Sequence, residues 1–281
     1  MKYEKQIKKF ITDSLKEDIG NGDHTSLASI EKDFQNKAQL LVKDDGIIAG
    51  VELARMIFNQ VDSTLKVETL IEDGEQVKSG DIVFFVEGCS ISILTSERLV
   101  LNCMQRMSSI ATKTSYLNSL ISETDTKLLD TRKTTPLNRI IEKLAVRIGG
   151  AINHRFGLYD MILIKDNHID FAGGISNAIK RTKKYLKENN KNLEITVEAR
   201  NIDEVADILN EGGITRILLD NLDYKTTKKA VELIGNKCET ESSGRITEKN
   251  IVRYAKCGVN YVSVGELTHS IQNFDLSLKS V

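Results

Sequence analysis

The chain has 281 residues and a mass of 31.4 kDa, with 39 lysines and arginines against 40 aspartates and glutamates. Hydrophobic residues make up 40%, about 46% with glycine included, which is the ordinary globular range and excludes a disordered or collagen-like chain. The net charge of −1 gives no basic excess for nucleic acid, and the longest apolar runs, Ile82 to Val86 and Met161 to Ile164, fall far short of the roughly 20 residues a membrane span needs.

The N-terminal MKYEKQIKKF has no apolar stretch after its lysines, so no secretory signal is expected. Cys89, Cys103, Cys238 and Cys257 are scattered without a CxxC pair and read as reduced thiols rather than a zinc site or a disulfide framework. These features predict a soluble cytoplasmic protein with neither a membrane nor a nucleic-acid partner.

Lys2 to Ile19 has helical spacing and stops at Gly20-Asn21-Gly22-Asp23. Extended runs follow at Ala38 to Val42, Leu65 to Leu70 and Ile82 to Val86, with turn signals at Asp44-Asp45-Gly46 and Asp73-Gly74. The stretch EDGEQVKSGD resembles the hairpin of lipoyl and biotinyl carrier domains, but no lysine occupies an acceptor tip, so only the turn geometry is shared. The first hundred or so residues thus read as an α+β module, and a long helix from about Ser96 to Ser122 leads out of it.

From Lys127 onward the apolar runs KLLD, MILIK, EITVEA, RILLD and YVSVG alternate with amphipathic stretches such as Ile140, Ile141, Leu144 and Ile148. That alternation predicts βα units around a parallel sheet. About 155 residues remain where an eightfold barrel takes about 250, so the barrel is expected to be short or incomplete. Thr135-Pro136 reads as a helix start, with threonine as cap and proline at the first helical position.

The strand ends carry polar groups: Asp130-Thr131-Arg132-Lys133, Lys165-Asp166-Asn167-His168, Glu198-Ala199-Arg200, Asp220-Asn221, Glu241-Ser242-Ser243-Gly244 and Ser263-Val264-Gly265. Polar turns end strands in any α/β protein, but a succession of charged ends at one barrel mouth is where a site assembles. Between Arg132 and Lys165 seven cations face two acids, a local excess of +5. Lys143 and Arg147, four apart, are expected on a solvated helix face, whereas Arg132, Lys133, His154, Arg155 and Lys165 sit at strand ends or in loops, a set suited to a ligand with several carboxylates or phosphates. Glu198 and Asp220 add the opposite sign, suited to a divalent cation, sugar hydroxyls or a developing positive charge. Ser243-Gly244 and Gly265 fall in the last two βα loops, where barrels often hold a phosphate.

The block DTRKTTPLNRIIEKLAVRIGGAINHRFGLYDMILIKDNHI, Asp130 to Ile169, resembles the signature of the quinolinate phosphoribosyltransferases. Similarity continues in EDIGNGDHTS, DGIIAG, TSERLVLNCMQRMSSIAT, VEARNIDE, ILLDN, ESSGRIT and YVSVGELTHS. The resemblance implies an N-terminal α/β sandwich domain over 1–110, joined by a tail at about 270–281, and an open or incomplete α/β barrel with parallel strands over 111–269. It also implies a homodimer with shared sites. Arg132, His154, Arg155 and Lys165 would line the quinolinate pocket, with Arg98 reaching in from the partner subunit. Lys133 would touch phosphoribosyl pyrophosphate, and Glu198 and Asp220 would hold its ribose or a magnesium ion, the latter through substrate or water. Ser243, Gly244, Ser263 and Gly265 would cradle the 5′-phosphate, with Arg245 beside them. No organic cofactor is implied.

Four departures from the family pattern stand out. Leu137 and Ser109 replace glycines and are expected to alter packing only. Arg245 replaces a glycine beside the phosphate loop, where it either adds a contact or crowds the loop. Glu266 follows Gly265 and is expected to face away from a phosphate. His168 reads as a hydrogen-bonding structural histidine, and His24 and His269 likewise. Three other readings stay open on the residues: a divergent paralogue with another substrate, a Schiff-base aldolase using a barrel lysine, and a barrel that binds anions without turnover.

Overall fold

The computed structural model describes residues 3–281. In chain order its elements begin with α1 (Glu4–Ile19), α2 (His24–Ser29), β1 (Gln35–Val42), β2 (Gly46–Ile47), α3 (Val51–Val61), β3 (Lys66–Thr69), β4 (Gln76–Val77), β5 (Ile82–Cys89) and α4 (Ser90–Leu120). They continue with β6 (Lys127–Leu129), α5 (Arg139–Ile148), β7 (Ile162–Ile164), α6 (Asp166–Ala172), α7 (Ile175–Glu188), β8 (Ile195–Ala199), α8 (Ile202–Glu211) and β9 (Arg216–Asp220). The last are α9 (Tyr224–Ile234), β10 (Glu239–Ser243), α10 (Ile251–Ala255), β11 (Tyr261–Ser263), α11 (Glu266–His269) and β12 (Leu276–Ser280). No described helix is long and apolar enough to cross a membrane.

The chain forms two compact units. The first takes residues through Ser115 with Thr134–Gly150 and Leu267–Val281, and the second takes Tyr116–Lys133 and Ala151–Glu266. Sequence order alone assigns 134–150 to the barrel; by contact that segment belongs to the first unit.

In the first unit, Ile7, Ile11 and Leu15 recur every four residues and give α1 one buried stripe. The expected beginning of this helix at Lys2 lies outside the described residues. Ala38, Leu40 and Val42 alternate as the buried face of β1, the second strand of an antiparallel sheet ordered β12-β1-β5-β3. The C-terminal strand enters this sheet from Ala38↔Ser280 to Val42↔Leu276. The carrier-like stretch contributes only the short strand β4, paired with β2. Helix α3 starts at Gly50, whose φ of 100 is left-handed, and the carboxylate of Asp73 accepts the amides of Gly50, Val51 and Glu52 at 2.6, 2.9 and 3.3 Å. A cap borrowed from that far along the chain has no local signature.

Thr135-Pro136 does not start a helix. Asn138 N–H donates to the Thr135 carbonyl at 3.1 Å, with Pro136 second in the turn and Leu137 third at φ 65, the type II pattern. Helix α5 begins at Arg139, and on it Arg147 is exposed as expected but Lys143 is buried, not solvated. The fully buried Glu142 carboxylate, ion-paired with Arg106 at 2.9 Å, takes the Thr135 amide at 3.1 Å and so holds the turn outside the helix. Leu137 is 92% exposed, which corrects the packing expectation. Its departure from glycine acts on the backbone, since a left-handed φ is costly for any residue with a Cβ. Ser109 stays within its helix, its hydroxyl donating to the Gln105 carbonyl at 2.9 Å.

The second unit is a six-stranded parallel sheet ordered β6-β11-β10-β9-β8-β7. Its first and last strands are not paired with each other. A single parallel bridge, Leu129↔Ile152, extends the β6 edge. The barrel is therefore open, as its length suggested. Side-by-side partners in a parallel ladder share a face. One face carries Val197, Ile217, Leu219 and Val262, all buried, each contributing roughly 1.5–3 kcal/mol. The other face carries Glu198 beside Leu218, Glu241 beside Leu218 and Tyr261, and Asp220 beside Ser243. Glu198 and Asp220 each precede a helix cap by three residues. Asn201 accepts Glu204 N–H at 2.9 Å to open α8, and Asp223 accepts Thr226 N–H at 2.8 Å to open α9.

Candidate active site

The polar face converges at the C-terminal strand ends of the second unit. Lys165 follows β7 directly, and its ammonium lies 3.2 Å from the carboxylate of Glu198, the penultimate residue of β8. Glu198 is buried, which raises its carboxyl above the usual range. Lys165 pulls the other way, while Asp220 and Asp166 add to the rise. Asp220 ends β9 and accepts Asn221 Nδ2 at 2.7 Å. A carboxylate kept dry next to a second one is prepared for a positive partner.

The cations stand opposite in character. Arg132 and Lys133 are exposed just beyond β6. His154 and Arg155 are buried, in a segment tied to the end of β6 by Asp130. That fully buried carboxylate accepts Asn153 Nδ2 at 2.7 Å and His154 N–H at 2.8 Å. Arg155 donates from Nη1 to the Met161 carbonyl at 3.3 Å, but its buried Nε has no hydrogen-bond partner among the described residues. Burial lowers this guanidinium's hold on its proton, the charge of Arg132 lowers it further, and Asp160 opposes both. Arg155 also borders a cavity of about 450 Å³, walled by Met161, His168, Ala178 and Arg181. A buried guanidinium with an unpartnered Nε, on the same side as the exposed Arg132, is a ready receptor for an anion.

The glycine loops follow β10 and β11. Ser243 ends β10, and its carbonyl accepts the Asn221 amide at 2.9 Å. Gly244 has φ 97, and a Cβ there would run into the Asn221 side chain and lie 2.9 Å from the Asn221 backbone nitrogen. Arg245 follows with φ 52 and is exposed. Ser263 is buried at the end of β11, and Gly265 is half-buried. The second unit thus gathers every expected site residue except Arg98, which is exposed on α4 in the first unit.

Beneath the strand ends lies a network that the motifs did not reveal. Arg155 N–H donates to His154 Nδ1 at 2.7 Å, and His154 Nε2 faces the fully buried Glu241 at 3.4 Å. The same Glu241 oxygen accepts Arg216 Nη1 at 3.0 Å, and Arg216 also pairs with Glu239 at 2.9 Å. Burial would raise the Glu241 carboxyl, but the His154 contact and the Arg216 charge outweigh it and hold the group below its usual range. The available signal was two glutamates spaced by two in ETESS, the phase of one strand face.

Lys165 also bears on the aldolase reading. A Schiff-base lysine is made neutral by desolvation or by a neighbouring cation, whereas Lys165 is half-exposed and ion-paired with Glu198. His168 serves the backbone, its Nδ1 accepting Lys165 N–H at 3.0 Å, as the sequence suggested.

Residues 23–108 match the model of the quinolinate phosphoribosyl transferase N-terminal domain, and residues 110–279 match that of the C-terminal domain. The chain is 43% identical to a mitochondrial quinolinate phosphoribosyltransferase (decarboxylating) of Nicotiana tabacum, covering 97% of this chain and 82% of that one. It is 37% identical to a probable nicotinate-nucleotide pyrophosphorylase (carboxylating) of Bacillus subtilis, covering 97% and 93%. Among solved structures, the nicotinate-nucleotide pyrophosphorylase from Francisella tularensis superposes with a TM-score of 0.91 at 38% identity, over 99% of this chain and 96% of that one.

Proposed function

Because this chain belongs to the quinolinate phosphoribosyltransferase family, we propose that it transfers the phosphoribosyl group of phosphoribosyl pyrophosphate to quinolinate with decarboxylation. The products are nicotinate mononucleotide, pyrophosphate and carbon dioxide, a step of de novo NAD synthesis. The observation that carries this reading is the pair Arg132 and Arg155, like charges of which one is buried with an unpartnered Nε. Quinolinate is a dicarboxylate and supplies the missing counter-charge, with Lys165 at the rim and His154 behind Arg155.

The pyridine nitrogen attacks the anomeric carbon as pyrophosphate leaves, and positive charge builds on the ribose ring. Glu198 and Asp220 stabilise that charge, and Lys133 meets the departing pyrophosphate. Ser243, Gly244, Arg245, Ser263 and Gly265 hold the 5′-phosphate. The ribosylated ring nitrogen is cationic, so it stabilises the electron pair left on the adjacent ring carbon as carbon dioxide leaves. The ring carbon then takes a proton from water.

Magnesium fits as a substrate-borne ion. Among the described residues no three acidic, histidine or cysteine side chains gather as a metal cage. Two carboxylates plus substrate phosphates are a usual magnesium environment, and Glu198 and Asp220 are the residues that would hold it, directly or through water. When bound it neutralises the leaving group.

Homodimeric assembly, with Arg98 completing the partner's site, is part of the proposal. An apolar groove of about 490 Å³, lined by Phe34, Ile93, Leu94 and Leu278, borders the same α4 that carries Arg98, and such a patch marks an interaction surface. Cytoplasmic location is proposed from the four free cysteines. The test is incubation of the purified protein with magnesium, phosphoribosyl pyrophosphate and quinolinate, with nicotinate in a parallel tube. Nicotinate mononucleotide and carbon dioxide from quinolinate alone support the proposal. Product from nicotinate alone, or from neither tube, refutes it.

A further inference from the structure

Glu241 is fully buried and has no part in the transfer just described. Its Oε1 meets no partner in good hydrogen-bond geometry among the described residues, although the Ser263 side chain is near enough to help hold the charge, and so weakly satisfied a buried acceptor calls for a further reason to be there. Its position supplies one. Glu241 lies two residues before Ser243 on the same face of β10, level with Leu218 and, across β9, with Glu198.

The hydrogen bonds around His154 fix the imidazole's state. Nδ1 receives the Arg155 N–H at 2.7 Å, so it is the acceptor nitrogen. The ring proton is then on Nε2, pointed at Glu241 3.4 Å away. Arg216, held by Glu239 on its other side, keeps Glu241 in place from below. The ring therefore bridges a buried carboxylate to the backbone amide of the residue whose guanidinium is to receive quinolinate.

We propose that Glu241 is a positioning residue for quinolinate binding, holding His154 as its Nε2–H tautomer and, through the His154–Arg155 turn, setting the aim of Arg155. The proposal rests on the reading of this site as a quinolinate site. Outer partners that fix a histidine tautomer in this way are worth about 10–100-fold in the function they support at metal sites.

The test has two readouts, and the first does not depend on the substrate. In ¹⁵N-labelled full-length protein, the His154 imidazole, assigned by its loss in His154→Asn, is expected to show one protonated Nε2 and one unprotonated Nδ1. An imidazolium or an Nδ1–H tautomer overturns the proposal whatever the enzyme's substrate. The second readout is steady-state kinetics. Glu241→Gln should raise KM for quinolinate by about tenfold or more, leave KM for phosphoribosyl pyrophosphate within about twofold, and disturb the His154 nitrogen signals. Glu239→Gln, which keeps an acceptor for Arg216 Nε and leaves its Nη1 contact with Glu241 in place, should do neither. If Glu241→Gln does not fold, the double variant Glu241→Gln/Arg216→Met removes both charges and carries the same expectation. Equal losses for both substrates, or equal effects of Glu239→Gln, overturn the proposal by showing that Glu241 only supports the sheet. Failure of wild-type turnover on quinolinate would instead strike the reaction assignment, leaving the tautomer result standing.

Discussion

Replacing Arg245 separates two consequences of one residue. Its φ of 52 lies in the left-handed region, which costs a residue with a Cβ roughly 1–2 kcal/mol. The conformation is pinned, because Asn250 Nδ2 donates to the Arg245 carbonyl at 3.0 Å and the preceding Gly244 is also left-handed. Arg245→Gly removes that strain but adds freedom to the unfolded chain, about 0.5–1 kcal/mol. The net expectation is a gain of about 0.5–1 kcal/mol, or about 1–3 °C in Tm for a chain of this size. Arg245→Ala keeps the strain and should leave Tm within about 1 °C of the parent.

Function should move the other way. The Arg245 side chain is exposed beside the loop proposed to hold the phosphate, so a contact with phosphate there is discounted to about 1 kcal/mol, a factor of about five in KM for phosphoribosyl pyrophosphate. Both the glycine and the alanine variant lose the cation, so both should show that rise, and in both the salt dependence of KM should flatten. Thermal unfolding and initial-rate assays at two ionic strengths read the two effects separately. If glycine and alanine variants melt together, the backbone argument is wrong. If both keep the parent KM, Arg245 points away from the phosphate and the loop binds without it.

Gly244→Ala combines a φ of 97 with a Cβ driven into Asn221; overpacking and backbone strain together should cost about 2–5 kcal/mol, visible as a lower urea midpoint and a raised KM for phosphoribosyl pyrophosphate. Glu198→Gln should abolish most turnover yet stabilise the fold at neutral pH. Burial and Asp220 raise the Glu198 carboxyl despite Lys165, so its contribution to stability is fully present below the unfolded value near 4.5 and is lost as pH rises through the folded value. The variant's advantage in urea unfolding should therefore shrink as pH falls toward and below 4.5, and an advantage that grows in acid contradicts the burial argument. Mixing inactive Arg98→Ala and Lys133→Ala proteins should restore part of the activity if each site uses two subunits; no rescue in verified mixed dimers removes Arg98 from the partner's site.

Strands and site differed in how far the sequence revealed them. In the second unit β6, β7, β8 and β9 are short apolar runs that end in charge, so Glu198 and Asp220 are legible as strand-end groups, whereas β10, ETESS, has no apolar run and only the sheet register puts Ser243 on their face. What stayed hidden depends on partners distant in sequence. Helix α3 is opened by Asp73, more than twenty residues beyond its first turn, and Thr135-Pro136 fails to start a helix because Glu142 on α5, itself paired with Arg106, takes the Thr135 amide. The same holds for chemistry. Glu241 and Arg216 occupy ordinary strand positions, and only the sheet register, with the return of His154 beneath it, turns two charges in separate runs into a single buried network. A site's contact residues are set at the strand ends, where loops vary and motifs are recognisable. The groups that hold those contacts in place lie one layer deeper, where a sequence shows a charge in a strand and only the fold shows what it faces.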